Sequence, residues 1–199
     1  MLSVVIATHN SERPLVPTLA SLVSGAAAGA VRDVIVVDGG STDDTPEVAD
    51  IAGCEFFIEK APLAQRLRMA AARARAPWLM FLRPGVVINP TWVEECVRFQ
   101  QQAEYQQATG KRAAIFRPSP DAGGSRTVLA EAITLLRAAL GGRPRTEQGL
   151  IISRKFYDSL GGHRDGKADP EGDLLERIGR RQITMLRTEA HMVGREDDI

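Results

Sequence analysis

An α/β domain, with a mostly parallel central sheet and helices on both faces, is the fold this sequence predicts. Three observations point to it. Apolar runs rich in β-branched residues alternate with helix-period segments through the first half of the chain. Those runs are continuous rather than alternating in polarity, as strands buried on both faces read. The length of 199 residues, 44% hydrophobic and 25% charged, suits one packed domain and argues against disorder.

The elements follow in order. "LSVVIATHN" is a first strand that ends in polar groups, and "RPLVPTLASLVSGAAAGA" is a helix with Leu15, Leu19, Leu22 and Val23 at helical spacing. "VRDVIVVDGGSTDDT" is a second strand and a turn, and "PEVADIAG" a helix with Pro46 near its first turn. "CEFFIEK" is a third strand, "LAQRLRMAAARARA" an arginine-studded helix, and "PWLMFL" a fourth strand. "NPTWVEECVRFQQQAEYQQATG" follows as a turn and helix, and "RAAIFR" as a short strand. "PSPDAGGS" is loop, and "RTVLAEAITLLRAALGG" an amphipathic helix whose apolar set fits a core better than a membrane. "TEQGLIISRKFYDSLGG" gives loop, strand and short helix, and "EGDLLERIGRR" a last helix. Trp78 and Trp92 are expected in the core.

Composition narrows the function. Twenty-five basic side chains balance 25 acidic ones, so no global field steers nucleic acid or a membrane surface. Cys54 and Cys96 are too few for a disulfide framework or a structural zinc site. No stretch approaches the ~20 apolar residues that span a bilayer. The first residues carry no signal-peptide pattern, and a soluble cytoplasmic protein is expected.

In a parallel sheet, ligands sit beyond the carboxyl ends of the strands. The informative sets are therefore Ala7 to Asn10, Asp38 to Asp44, and Arg83 to Gly85. "VVDGGSTDDT" puts a carboxylate and two glycines at a strand end, which reads equally as a ligand nest or as a well-capped turn. As a ligand nest, Asp38 could accept from a ring N–H such as that of uracil. Neither a dinucleotide glycine fingerprint nor a P-loop is present, which disfavours a Rossmann oxidoreductase or an NTPase. The three histidines are not spaced as metal ligands, and no G-x-S-x-G elbow supports a hydrolase.

The first strand with its polar end, followed by "VIVVDGGSTDDT", resembles family 2 glycosyltransferases. So do "AAARARAPWLMFLRPGVVINPTWVEE" and "TEQGLIISRKFYDSLGGHRD" with the acidic helix start at "EGDLLERIGRR", in the right order over nearly the whole chain. That resemblance implies the GT-A nucleotide-diphospho-sugar transferase fold in a single domain over 1–199. Residues 1–90 would be the nucleotide-binding half and 91–199 the acceptor-side half. It implies a nucleotide-diphosphate sugar as donor, with a UDP-sugar favoured, and inverting transfer to an unnamed acceptor.

Carried over by position, Ala7, Thr8, His9, Asn10 and Glu12 would line the nucleotide pocket. Asp38 would hold the base, Gly40 and Ser41 its turn, and Arg66 or Arg68 would lie near the diphosphate. Glu147 and Gln148 would face acceptor or sugar. The family's Asp-x-Asp, which binds Mn²⁺ or Mg²⁺, falls on Arg83, Pro84 and Gly85, so the usual metal ligands are absent. The usual catalytic pair falls on Glu171 and Gly172, which leaves Glu171 and Asp173 as base candidates, with Asp169 just upstream. The resemblance supports two outcomes: a transferase in which Arg83 replaces the metal ion, or a catalytically inactive relative that binds nucleotide or a partner.

Overall fold

The computed structural model describes residues 1–119 and 144–193. The helix expected over 126–142, and most of the loop before it, lie outside the described residues.

Eight described strands form one sheet in the order β3-β2-β1-β4-β7-β6-β8-β5. The first four are β1 (Leu2–Thr8), β2 (Val31–Asp38), β3 (Glu55–Ile58) and β4 (Trp78–Leu82), all parallel. They alternate with helices α1 (Glu12–Ala27), α2 (Thr45–Ile51) and α3 (Leu63–Arg73). Beyond β4 the sheet is mixed. β5 (Val86–Ile88), α4 (Trp92–Tyr105), β6 (Ala113–Pro118) and β7 (Leu150–Ser153) precede α5 (Arg154–Ser159), α6 (Pro170–Ile178) and β8 (Ile183–Met192). β7 runs antiparallel to β4 and β6, whereas β8 runs parallel to β6 and antiparallel to β5.

The expected two-sided burial is present. Val4, Ile6, Met80 and Leu82 face Leu15, Leu19 and Leu22 of α1 and Trp92, Cys96 and Phe99 of α4. Val5, Leu79 and Phe81 face Leu67 and Ala70 of α3, Phe156 of α5, and Leu174 and Ile178 of α6. Each fully buried aliphatic side chain contributes roughly 1.5–3 kcal/mol, so a strand apolar on both faces is what this layer demands. Trp78 and Trp92 both belong to the core, and Gly25 of α1 leaves the space that the Trp92 ring fills.

Two strands are absent from the sequence reading. β5 is only three residues long and begins directly after the Pro84-Gly85 turn. β8 carries little local signal because Arg187 and Glu189 interrupt it, although Leu186, Thr188 and Ala190 are buried at period two. Its neighbours β5 and β6 are far away in sequence, so only tertiary pairing identifies it as a strand. Among the described residues, no helix is long and apolar enough to cross a membrane.

Candidate functional site

β1 and β2 pair in register, with Thr8 beside Asp38, so both strands release their loops at the same level. Asp38 is fully buried, and its two oxygens accept four hydrogen bonds. Oδ1 takes the hydroxyls of Thr8 (2.7 Å) and Ser41 (2.6 Å), and Oδ2 takes the backbone N–H groups of Gly40 (2.7 Å) and Ser41 (2.6 Å). A carboxylate has about four acceptor sites, so these donors use all of them. Burial alone would raise its pKa, but the bonds from Ser41, Thr8 and Gly40 outweigh burial and hold it below the ordinary value. The sequence reading gave Asp38 to a base; in the structure its lone pairs shape the loop.

The two loops are also stitched to one another. Asn10, at φ 49°, donates its N–H to Ser41 Oγ (2.8 Å), and its side-chain oxygen accepts from the Thr42 N–H (2.9 Å). Ser11 N–H donates to Thr45 Oγ1 (2.8 Å), and Glu12 N–H to Asp43 Oδ2 (3.0 Å). Arg66 of α3 reaches back to this edge and donates from Nη1 to the Thr8 carbonyl (2.7 Å). Its Nε is buried without a hydrogen-bond partner among the described residues. A Cβ on Gly39 would stand 3.1 Å from Arg66 Nη1 and 3.2 Å from His9 Nδ1, which marks Gly39 as the close-approach point between them. Gly40, at φ 94°, lies under the Lys60 side chain, a neighbour that no local pattern announces. His9 and Asn10 are exposed and Ala7 is half-buried.

The second part of the site lies at the end of β4. Arg83 donates from Nε (2.6 Å) and Nη2 (2.5 Å) to one oxygen of Glu171 in α6, and its Nη2 is 3.5 Å from Asp169 Oδ1. The Glu171 side chain is 12% exposed. Burial pushes its carboxyl above the ordinary value, against the pull of Arg83. Asp169 caps α6 by accepting the Gly172 N–H (3.1 Å). Beside this cluster is a small recess walled by Phe81, Gly149, His163 and Leu175. His163 Nδ1 is 2.8 Å from the Tyr157 hydroxyl. Burial, together with Arg177 and Arg68, holds the imidazole down to about 3, so it stays neutral at physiological pH.

Several expected site residues are engaged elsewhere. Arg68 donates to the His163 carbonyl (2.5 Å) and pairs with Asp165 (2.6 Å), so of the two helix arginines Arg66 is the one at the β1–β2 edge. Arg73 stacks over Phe57, and Arg75, just past the end of α3, pairs with Asp33. Asp173 accepts from Arg177 Nε (2.7 Å), which lowers its pKa, and lies 3.4 Å from Lys167. Arg177 also donates to the carbonyls of Leu160 and Gly162, so Asp173 belongs to the brace between α5 and α6. Gln148 is buried, donates to the Phe116 carbonyl (2.8 Å) and accepts the Arg145 N–H (2.7 Å), which commits its amide to backbone. Glu147 is half-buried in the 3₁₀ turn Thr146–Gln148, next to the recess.

The residues at the β4 end do not fit a divalent cation. Arg83 is itself a cation, and Pro84 offers no side-chain donor. Gly85, at φ 91°, has no room for a side chain: its Cβ would stand 2.7 Å from the Val193 carbonyl and 2.8 Å from Met192 Sδ. The end of β8 closes over this turn, with Val193 N–H donating to the Gly85 carbonyl (2.8 Å) and Gly85 N–H to that of Pro14 (2.8 Å). Among the described residues, no group of three His, Cys, Asp or Glu is arranged to hold a metal ion.

The profile of glycosyl transferase family 2 matches residues 3–160. No curated protein matches the chain by sequence. Solved structures match it by fold. TarS 1–349 of S. aureus superposes with a TM-score of 0.70 at 16% identity, over 96% of this chain and 60% of TarS 1–349. Glucosyl-3-phosphoglycerate synthase from Mycobacterium tuberculosis gives 0.68 at 21% identity, over 98% of this chain and 72% of the synthase. The mannosyltransferase PcManGT from Pyrobaculum calidifontis, solved with GDP-Man and Mn²⁺, gives 0.75 at 13% identity, over 99% of this chain and 58% of PcManGT. These likenesses establish the GT-A fold.

Proposed function

The chain belongs to glycosyl transferase family 2, and we propose that it moves a sugar from a nucleoside-diphosphate sugar to an acceptor hydroxyl, with inversion and without a divalent ion. One observation carries this reading: a guanidinium, fixed by two carboxylates, stands at the strand end where the family's metal motif falls. Glycosidic cleavage builds negative charge on the leaving diphosphate, and a preorganised cation in a half-buried site stabilises that charge. Glu171 and Asp169 occupy the Nε and Nη2 edge of Arg83, and Nη1 has no partner among the described residues. That open edge is the one we assign to phosphate. The β1 and β2 loops, with Arg66 at their junction, form the nucleoside side. UDP complexes of TarS and of the synthase make a UDP-sugar the donor class we favour.

A second reading has its own observation. Arg83 is already countered by two carboxylates, and a glycine stands where the family carries its base. A chain so altered could bind nucleotide and transfer nothing. Calorimetric titration of UDP, GDP and TDP, each with Mn²⁺ and with EDTA, tests both readings. Transfer by arginine predicts binding that ignores EDTA and weakens at least tenfold in Arg83→Ala. Binding that needs Mn²⁺ would overturn the metal-free mechanism. Equal affinity in Arg83→Ala would remove Arg83 from the site, and no binding of any nucleotide would end the transferase reading in favour of an inactive relative that meets a partner instead.

A further inference from the structure

The reacting end of the site has lost the residue from which this family's base is drawn, yet three carboxylates surround that position. Glu171 is nearly buried, and one of its oxygens lies in the fork of Arg83. Asp173 is held by Arg177 and Lys167 on the α5–α6 side. Asp169 differs from both. Its side chain is 58% exposed. Its Oδ1 caps the helix, and its Oδ2 accepts no hydrogen bond among the described residues.

The decisive contact is at Gly172. A Cβ built there would lie 3.0 Å from Asp169 Cγ and closer still to Asp169 Oδ2, nearer than real Cβ atoms come. The carboxylate of Asp169 therefore fills the space into which a side chain on residue 172 would grow. Glycine at 172 is what allows it to fold back there. The two changes read as one: a carboxylate vacates position 172 and another enters its volume from three residues upstream. Arg83, 3.5 Å away, ties the relocated carboxylate to the cation we assign to the leaving group.

We propose that Asp169 is the general base of this site, taking the proton of the acceptor hydroxyl from the position that a residue-172 side chain would otherwise occupy. This rests on the transferase reading above. The acceptor oxygen forms a bond to the anomeric carbon as the bond from that carbon to the diphosphate oxygen breaks. The bonding pair leaves with the nucleoside diphosphate beside Arg83, and the hydroxyl proton passes to Asp169 and then to solvent. Glu171 acts as a positioning residue, because one of its oxygens takes both Nε and Nη2 of Arg83.

Water is the simplest hydroxyl acceptor, so the test follows nucleoside diphosphate released from UDP-glucose, UDP-GlcNAc and GDP-mannose by the full chain. Asp169→Asn keeps a good helix cap, so the fold is retained. The expected result is a fall of about 10²–10⁴-fold in kcat, the usual worth of a general base, with UDP affinity within about threefold of wild type by the titration above. Moving the carboxylate back supplies the second variant. Gly172→Asp alone sets two carboxylates in one volume and should lose activity, whereas Asp169→Gly with Gly172→Asp should recover at least tenfold over Asp169→Gly. Turnover of Asp169→Asn within about threefold of wild type would overturn the assignment and leave the transferase reading standing. A wild-type chain that binds UDP but releases no nucleotide from any donor would end the transferase reading, and Asp169 as base with it.

Discussion

A buried carboxylate at the end of β2 and a nearly buried one at the start of α6 are held in opposite ways. Asp38 receives four short bonds from hydroxyls and backbone N–H groups of its own neighbourhood, and its pKa falls. Glu171 receives one arginine from the end of β4, and its pKa rises because burial outweighs that partner. Donors fixed by the backbone need no reorganisation and carry no charge that must itself be desolvated. A guanidinium at the end of a long side chain brings both costs. The contrast separates a region built for shape from a region kept electrostatically uneasy. The second is where a bound anion has most to change.

The largest expected effect falls on the shape-building side. Asp38→Asn replaces two acceptor atoms by one acceptor and one donor, so an amide would face N–H groups. A loss on the order of 3 kcal/mol is expected in urea denaturation, from unmet donors and a lost charged acceptor. A loss below about 1 kcal/mol would mean that the loop does not depend on its carboxylate.

The turn at Gly85 comes next. Restoring the family's second metal carboxylate by Gly85→Asp should cost roughly 2 kcal/mol, from a positive φ and a clash with the end of β8. It should create no Mn²⁺ site, as a thermal melt with and without Mn²⁺ would reveal. A metal-dependent gain in melting temperature would show that the turn opens and that its closure by β8 is not binding.

The pH dependence sharpens the contrast by sign. Asp38 contributes stability that is present above its ordinary value of 3.8 and lost as pH falls through its lower folded value. Glu171 does the reverse: its contribution is full below its ordinary value of 4.5 and is lost as pH rises through the raised folded value. Urea midpoints of wild type and Glu171→Gln, taken from pH 4 to 7, should therefore move in favour of the variant as pH rises. A gap that stays flat, or moves towards wild type, would mean that Arg83 overcomes burial.

Asp173 is expected to matter least. Its pair with Arg177 is an i,i+4 contact between largely covered side chains, but Arg177 keeps its bonds to the Leu160 and Gly162 carbonyls, so Asp173→Asn should cost about 1 kcal/mol. It should also leave the Asp169 dependence of nucleotide release in place. A catalytic defect as deep as that of Asp169→Asn would return Asp173 to the centre of the site.

Sequence alone determined the βα alternation, the two-sided core and the three strand ends, because continuous apolar runs and helical spacing are local patterns that burial enforces. It also located the missing carboxylates at 83–85 and 172 by position in the family pattern. What it could not supply was direction. Which of Arg66 and Arg68 turns towards the β1–β2 edge, where the Asp38 lone pairs point, and that β8 seals the Gly85 turn all depend on elements far apart in the chain. Asp169 is the clearest case. Its place three residues before Gly172 was plain in the sequence, but two atoms claiming one volume is a fact of three dimensions. Only the folded cap of α6 shows that the smaller residue at 172 and the carboxylate at 169 are a single arrangement.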